Sequence, residues 1–126
     1  MKQGIHLLIA DDHADFRKVL VKLLSFMPGI ARVNQAANGR ETLNNVSQEP
    51  YDVVLMDVQM PEVDGLQATL QIKARWPQTK IIALSADPSF RDKAMAVGAD
   101  RFITKDRIVP ELEEILGEFF GDAVSA

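Results

Sequence analysis

Cysteine is absent from the 126-residue chain, which excludes disulfides, thiolate zinc sites and thiol catalysis. There is no low-complexity run or internal repeat, and Gly and Pro are scattered as single punctuation marks. No block of Lys or Arg stands out. Fourteen basic residues face eighteen acidic ones for a net charge of -4, which argues against direct nucleic-acid binding by this chain. No apolar stretch approaches transmembrane length. The early apolar run from Ile5 to Ala10 is interrupted by His6 and stopped by Asp11-Asp12, which makes a poor signal peptide. These absences predict a cytoplasmic soluble domain with no membrane partner. With 47% hydrophobic and 25% charged residues, the chain is long enough to bury one core without disulfides or a structural metal, so residues 1–126 are expected to form a single domain.

The apolar pattern alternates between short continuous runs and helical spacing. Ile5 to Ala10 reads as a buried strand, and Phe16, Val19, Leu20, Leu23 and Leu24 recur at helical spacing until Pro28-Gly29. Ile30 to Ala36 is a second strand, Asn38-Gly39 a turn, and Glu41 to Gln48 a short polar helix ended by Glu49-Pro50. Asp52 to Met56 is the third strand, Leu66 to Trp76 a helix closed by Pro77, and Lys80 to Leu84 the fourth strand. Pro88 suits the first turn of a helix reaching Val97, with Gly98 as its stop. Arg101 to Thr104 is a brief fifth strand, and Ile108 to Phe120 a last amphipathic helix. Five strands alternating with five helices, the central strands apolar throughout, predict an open, doubly wound α/β fold with a parallel sheet.

In such a fold with strand order 2-1-3-4-5, ligands bind beyond the carboxyl ends of strands one and three. Those strands end in Asp11-Asp12 and in Asp57. Carboxylates this close repel one another, and the usual outcomes are a raised pKa or a bound cation. An all-oxygen set at the mouth of a sheet suits magnesium. Ser85 and Lys105 end the next two strands. A hydroxyl and an ammonium facing such a carboxylate make a receptacle for a phosphoryl group, with Asp57 as the nucleophile.

These residues carry a family resemblance. Asp11-Asp12, Asp57 followed by Met60-Pro61 and Gly65, Ser85-Ala86, and Gly98-Ala99 leading to Phe102 and Lys105 resemble, in order and spacing, a receiver domain of a two-component response regulator. The resemblance implies the flavodoxin-like receiver fold and transfer of a phosphoryl group from the phosphohistidine of a histidine kinase or phosphotransfer protein to Asp57. It implies magnesium held by Asp12, Asp57 and the backbone carbonyl of Gln59, with Asp11 nearby through water. It gives Ser85 and Lys105 to the phosphoryl oxygens, and to Phe102 an inward turn that reshapes the face of helix four, strand five and helix five, where a homodimer would form. The chain would be a signalling switch that catalyses its own phosphorylation and slow dephosphorylation rather than a turnover enzyme.

Single residues also have plainer readings. Asp12 could cap the first helix, Ser85 alone would be a loop serine, Lys105 alone a solvated charge, and Phe102 alone a core aromatic. Asp87-Pro88 reads as an N-cap followed by Pro at N1. His13 is a poor magnesium ligand and fits a first-turn or kinase-facing surface role, while the methionines are packing residues. Asp106 stands where many receivers have Pro after the lysine; a non-proline cis bond costs roughly 2.5 to 4 kcal/mol, so the Lys105-Asp106 geometry is left open. Asp11-Asp12-His13 with Lys105-Asp106 resembles the subgroup that usually precedes a helix-turn-helix DNA-binding domain, which ties the reading to transcription regulation. No such domain follows before Ala126, so the expectation is an excised receiver, a free-standing one, or one whose output lies in a partner. A haloacid dehalogenase-type hydrolase would need a second Asp where Gln59 stands; intact Asp12, Asp57 and Lys105 argue against a pseudo-receiver; and the carboxylates would repel the phosphate of FMN.

Overall fold

Alternating apolar runs and helical faces resolve into five β/α units in a computed structural model that describes residues 4–121. The strands are β1 (Ile5–Ala10), β2 (Ile30–Ala36), β3 (Val53–Asp57), β4 (Lys80–Ser85) and β5 (Arg101–Thr104); the helices are α1 (Ala14–Leu24), α2 (Gly39–Gln48), α3 (Gly65–Arg75), α4 (Arg91–Ala96) and α5 (Ile108–Phe120). All four strand pairs are parallel, in the order β2-β1-β3-β4-β5. Chain direction is therefore common to all strands, and every carboxyl end opens on the same edge.

Side chains alternate across a strand, so each strand feeds two cores. Ile5, Leu7 and Ile9 of β1, with Val53 and Leu55 of β3, pack against Leu20 and Leu24 of α1 and Leu112 and Leu116 of α5. Leu8, Val54, Met56, Ile81 and Ala83 face the other way, towards Val46 of α2, Ala68 and Ile72 of α3 and Ala94 of α4. With both faces covered, β3 has no exposed residue and can be apolar up to its last position. The edge strand β2 is mostly half-exposed and carries Arg32, Asn34 and Gln35, polar groups that discourage edge pairing.

Three local details differ from the sequence reading. Asn38 caps α2 by accepting a 2.8 Å hydrogen bond from the Glu41 N–H, and Gly39 is already the first helical residue rather than part of a turn. The helix expected from Pro88 begins as a 3-10 turn, Pro88–Phe90, and becomes α-helical only at Arg91; Asp87 caps it through the Ser89 N–H. His13, not Asp12, precedes α1 and offers it no side-chain cap, so Asp12 is spared that role. Gly98 ends α4 at φ +108°, a conformation that β-carbon-bearing residues resist. The Lys105–Asp106 bond is trans, and Lys105–Arg107 forms a 3-10 turn leading into α5.

Gly117 lies inside α5, and a methyl group there would meet nothing within 4 Å. Gly117→Ala should therefore stabilise the fold by about 0.5 to 1 kcal/mol through helix propensity alone, read as a higher urea midpoint at unchanged slope.

Candidate functional site

The common chain direction delivers four polar groups to one edge of the sheet. Asp11 follows β1, Asp57 is the last residue of β3, Ser85 the last of β4, and Lys105 follows β5. The registers Asp57↔Leu84 and Ser85↔Thr104 keep them level. Ligand oxygens of Asp11, Asp12 and Asp57, with a ring nitrogen of His13, lie within 4.8 Å of one another.

Asp57 is 3% exposed. Its Oδ1 accepts from the Gln59 N–H at 3.1 Å and its Oδ2 from Lys105 Nζ at 3.4 Å. Asp11 is fully buried; its Oδ2 accepts from the same ammonium at 2.7 Å and its Oδ1 from the His13 N–H at 2.8 Å. Lys105 thus bridges two carboxylates. Asp12 is exposed, with His13 Nδ1 3.1 Å from its Oδ1.

Burial is the chief cause that pushes the Asp57 carboxyl up from 3.8 to about 6, with the Asp11 charge adding to it and the Gln59 N–H and Lys105 opposing it. For Lys105, burial works to lower the pKa, but its hydrogen bond to Asp11 and the charges of Asp57 and Asp11 outweigh it, and the ammonium is held above the ordinary lysine range.

The loop after β3 is packed tightly against the nucleophile candidate. A β-carbon at Gly65 would fall 1.9 Å from the Asp57 carbonyl oxygen, so only glycine fits there. Asp64 caps α3 through the Gln67 N–H at 2.8 Å. The turn-forming residues after Asp57 therefore let the chain fold back over it at once.

Ser85 is buried, and its Oγ accepts from the Asp87 N–H at 3.0 Å, leaving the hydroxyl proton to donate elsewhere. Phe102 stands apart from the carboxylates. It lies inside the α2/α3/α4 core, 3% exposed, with the Arg91 guanidinium 4.9 Å over its ring. In this structure the ring occupies an inner position.

Two residues make contacts that were not foreseen from sequence. Phe16 places its ring centroid 4.5 Å from Lys105 Nζ. Arg17 donates from Nη1 to the Asp11 carbonyl at 2.6 Å and from Nε to Gln35 Oε1 at 3.0 Å, tying α1 and β2 to the end of β1. Their place one helical turn after Asp12 and His13 was the available signal.

Residues 7–116 match the family described as response regulator receiver domain. The chain belongs to that family. It is 33% identical over 115 residues to the response regulator GacA of Pseudomonas viridiflava, covering 89% of this chain and 53% of that protein. The chain thus spans about half the length of that relative. Among solved structures, a LuxR-family two-component response regulator from Aurantimonas sp. superposes with TM-score 0.84 at 26% identity, covering 92% of this chain and 84% of that one. The receiver domain of a Pseudomonas aeruginosa sensor histidine kinase, solved with magnesium coordinated in its active-site cleft, gives TM-score 0.82 at 28% identity over 94% and 98% of the two chains. The flavodoxin-like receiver fold is thus established together with the strand order.

Because the folded state holds the Asp57 proton more tightly than the unfolded chain, metal-free receiver loses stability as pH rises from 3.8 towards 6. Above that window the cost is about 3 kcal/mol at most, at 1.36 kcal/mol per pKa unit. Asp57→Asn should accordingly be more stable than the native chain at pH 7.5 by on the order of 1 to 3 kcal/mol. The excess should shrink towards pH 4, as measured by denaturant titration in EDTA.

Proposed function

We propose that this receiver domain takes a phosphoryl group onto Asp57 from the phosphohistidine of a histidine kinase or phosphotransfer protein. The observation that carries this reading is the buried Asp57 carboxylate, raised in pKa and facing the Lys105 ammonium beside an exposed Asp12. In the transfer a carboxylate oxygen of Asp57 forms a bond to phosphorus as the phosphorus–nitrogen bond to the imidazole breaks, the electron pair leaving with the imidazole. Lys105 and the Ser85 hydroxyl then hold phosphoryl oxygens, and the fixed backbone after β3 keeps Asp57 in line with the donor.

The donor set fits magnesium: all-oxygen carboxylates, one exposed and two buried, within 4.8 Å. Asp12, Asp57 and the Gln59 carbonyl would hold it, with Asp11 contributing through water. When bound, the ion supplies positive charge against both the carboxylates and the phosphoryl oxygens. His13, a nitrogen donor with a mostly exposed side chain, stands at the rim of the set.

Gln59 supplies Asp57 with a backbone N–H but no acidic side chain, so nothing there activates water as a hydrolase would. The chain acts as a switch with a slowly hydrolysing acyl phosphate. Phosphorylation changes the face of α4, β5 and α5, where exposed Met95 and Val109 support a homodimer. Similarity to GacA and to a LuxR-family regulator supports an attached or partnered helix-turn-helix output and a part in transcription regulation. Direct nucleic-acid binding would then belong to that output, since this chain carries a net charge of -4. Among the described residues no helix is long and apolar enough to cross a membrane, consistent with a cytoplasmic domain.

Magnesium should raise the melting temperature of the native chain by mass action, and Asp12→Asn should lose most of that shift. With magnesium and acetyl phosphate, intact-mass measurement should show one added phosphoryl group, released by hydroxylamine and absent in Asp57→Ala. Lys105→Ala should slow labelling while retaining the magnesium shift. Labelling that survives Asp57→Ala, or rapid multiple turnover of the donor, would transfer the reading to another nucleophile or to a hydrolase.

A further inference from the structure

Lys105 Nζ touches three groups: Asp11 Oδ2 at 2.7 Å, Asp57 Oδ2 at 3.4 Å and the ring of Phe16 with its centroid at 4.5 Å. The first two are carboxylates that a bound cation and a phosphoryl group would compete for. The third is uncharged and takes part in neither event. We infer that Phe16 is a positioning residue for phosphoryl transfer, its ring face holding the Lys105 ammonium over the site when the carboxylates are otherwise engaged; this rests on the phosphoacceptor reading above.

Lysine carries a flexible four-carbon stem and loses much rotamer entropy when fixed. Two anions that exchange partners do not define where such a chain points. An aromatic face does, because its negative quadrupole attracts a cation along the ring normal within about 6 Å. The geometry also shields one side of the ammonium from water, as its 18% exposed side chain shows, and shielding strengthens its pull on phosphoryl oxygens. Phe16 is itself held in place, since it belongs to α1 and its inner side packs on the core cluster shared by α1, α5 and the sheet. Arg17, the next residue, fixes the same turn of α1 to the Asp11 carbonyl.

A purely structural Phe16 would serve through its bulk alone, and the two roles separate by ring electronics. Phe16→Leu removes the π face and keeps an apolar side chain. Pentafluorophenylalanine at position 16 keeps the ring and nearly its size but reverses the quadrupole, while Phe16→Tyr keeps the face. At saturating magnesium, the rate of acetyl phosphate labelling should fall about three- to ten-fold, the range that 0.7 to 1.4 kcal/mol represents, for Leu and for the fluorinated ring, and Tyr should restore most of it. Magnesium affinity, measured by melting shift, should stay within about two-fold of native, since the ring faces the lysine and no metal ligand. In the unphosphorylated protein, NMR should show the Lys105 ε-methylene protons shifted upfield by the ring, and back to ordinary values in Phe16→Leu. Native rates with the fluorinated ring, an unshifted lysine, or a fall in magnesium affinity matching the fall in rate would each overturn the inference. Failure of the native protein to take up phosphoryl at all would instead remove the reading beneath it, with the lysine shift still deciding the geometry.

Discussion

The site depends on one ammonium shared between two buried carboxylates. Asp11 and Asp57 are nearly inaccessible to water, and two such anions side by side would each cost several kcal/mol unless compensated. Lys105 supplies the compensation, and it does so incompletely: the Asp57 carboxyl still titrates near 6. That residue of unfavourable charge is what makes the edge receptive. A cation arriving there offsets a cost the fold already bears, chiefly the burial of the Asp57 charge and next the neighbouring Asp11 charge, whereas a neutral site would have nothing to gain.

The same constraint explains the supporting structure. Gly65 lets the chain double back against the Asp57 carbonyl, which closes the buried side of the carboxylate and leaves its oxygens to the mouth. Arg17 pins the Asp11 backbone from α1. Ser85 is fixed through Asp87, the residue that also caps the turn before α4, so the hydroxyl at the end of β4 and the start of that helix share one anchor. Phe102 lies within the core under Arg91, the first residue of α4, which the β4–α4 connection holding Ser85 and Asp87 leads into.

Much of this was legible in the residue order. Apolar runs ending on Asp11, Asp57 and Ser85 gave the strands, their parallel arrangement and the edge on which the polar groups meet, because a sheet buried on both faces requires continuous apolar strands. Local chemistry was harder where two residues compete for one role. Asn38-Gly39 has the composition of a turn, and only the hydrogen bond to the Glu41 N–H makes Asn38 a cap with Gly39 inside the helix. Asp12 has the chemistry of a helix cap, yet α1 starts one residue later, with His13 at the capping position and no side-chain bond to the helix. Phe16, Arg17 and Arg91 act through contacts between different elements, and the Phe16 contact joins the two ends of the fold in sequence. Phe16 has a core residue's periodicity and Arg17 and Arg91 look like solvated charges, so beyond the one-turn spacing of Phe16 and Arg17 from Asp12 and His13 the sequence gives their roles no distinct signature.

The Lys105 bridge is also a long-range closure of the chain. It joins residues 94 positions apart in one arm and 48 in the other, among the longest closures in the molecule, and closing such loops is entropically costly until intervening contacts shorten them. A chain that has assembled β1, β2, β3 and β4 has already brought Asp11 and Asp57 together without their cation. Four strands thus supply the two buried carboxylates, and the residue that follows β5 supplies the cation that balances them. The charge balance of the site is in this way tied to the last strand of the sheet, because only the chain leaving β5 carries the ammonium to both carboxylates.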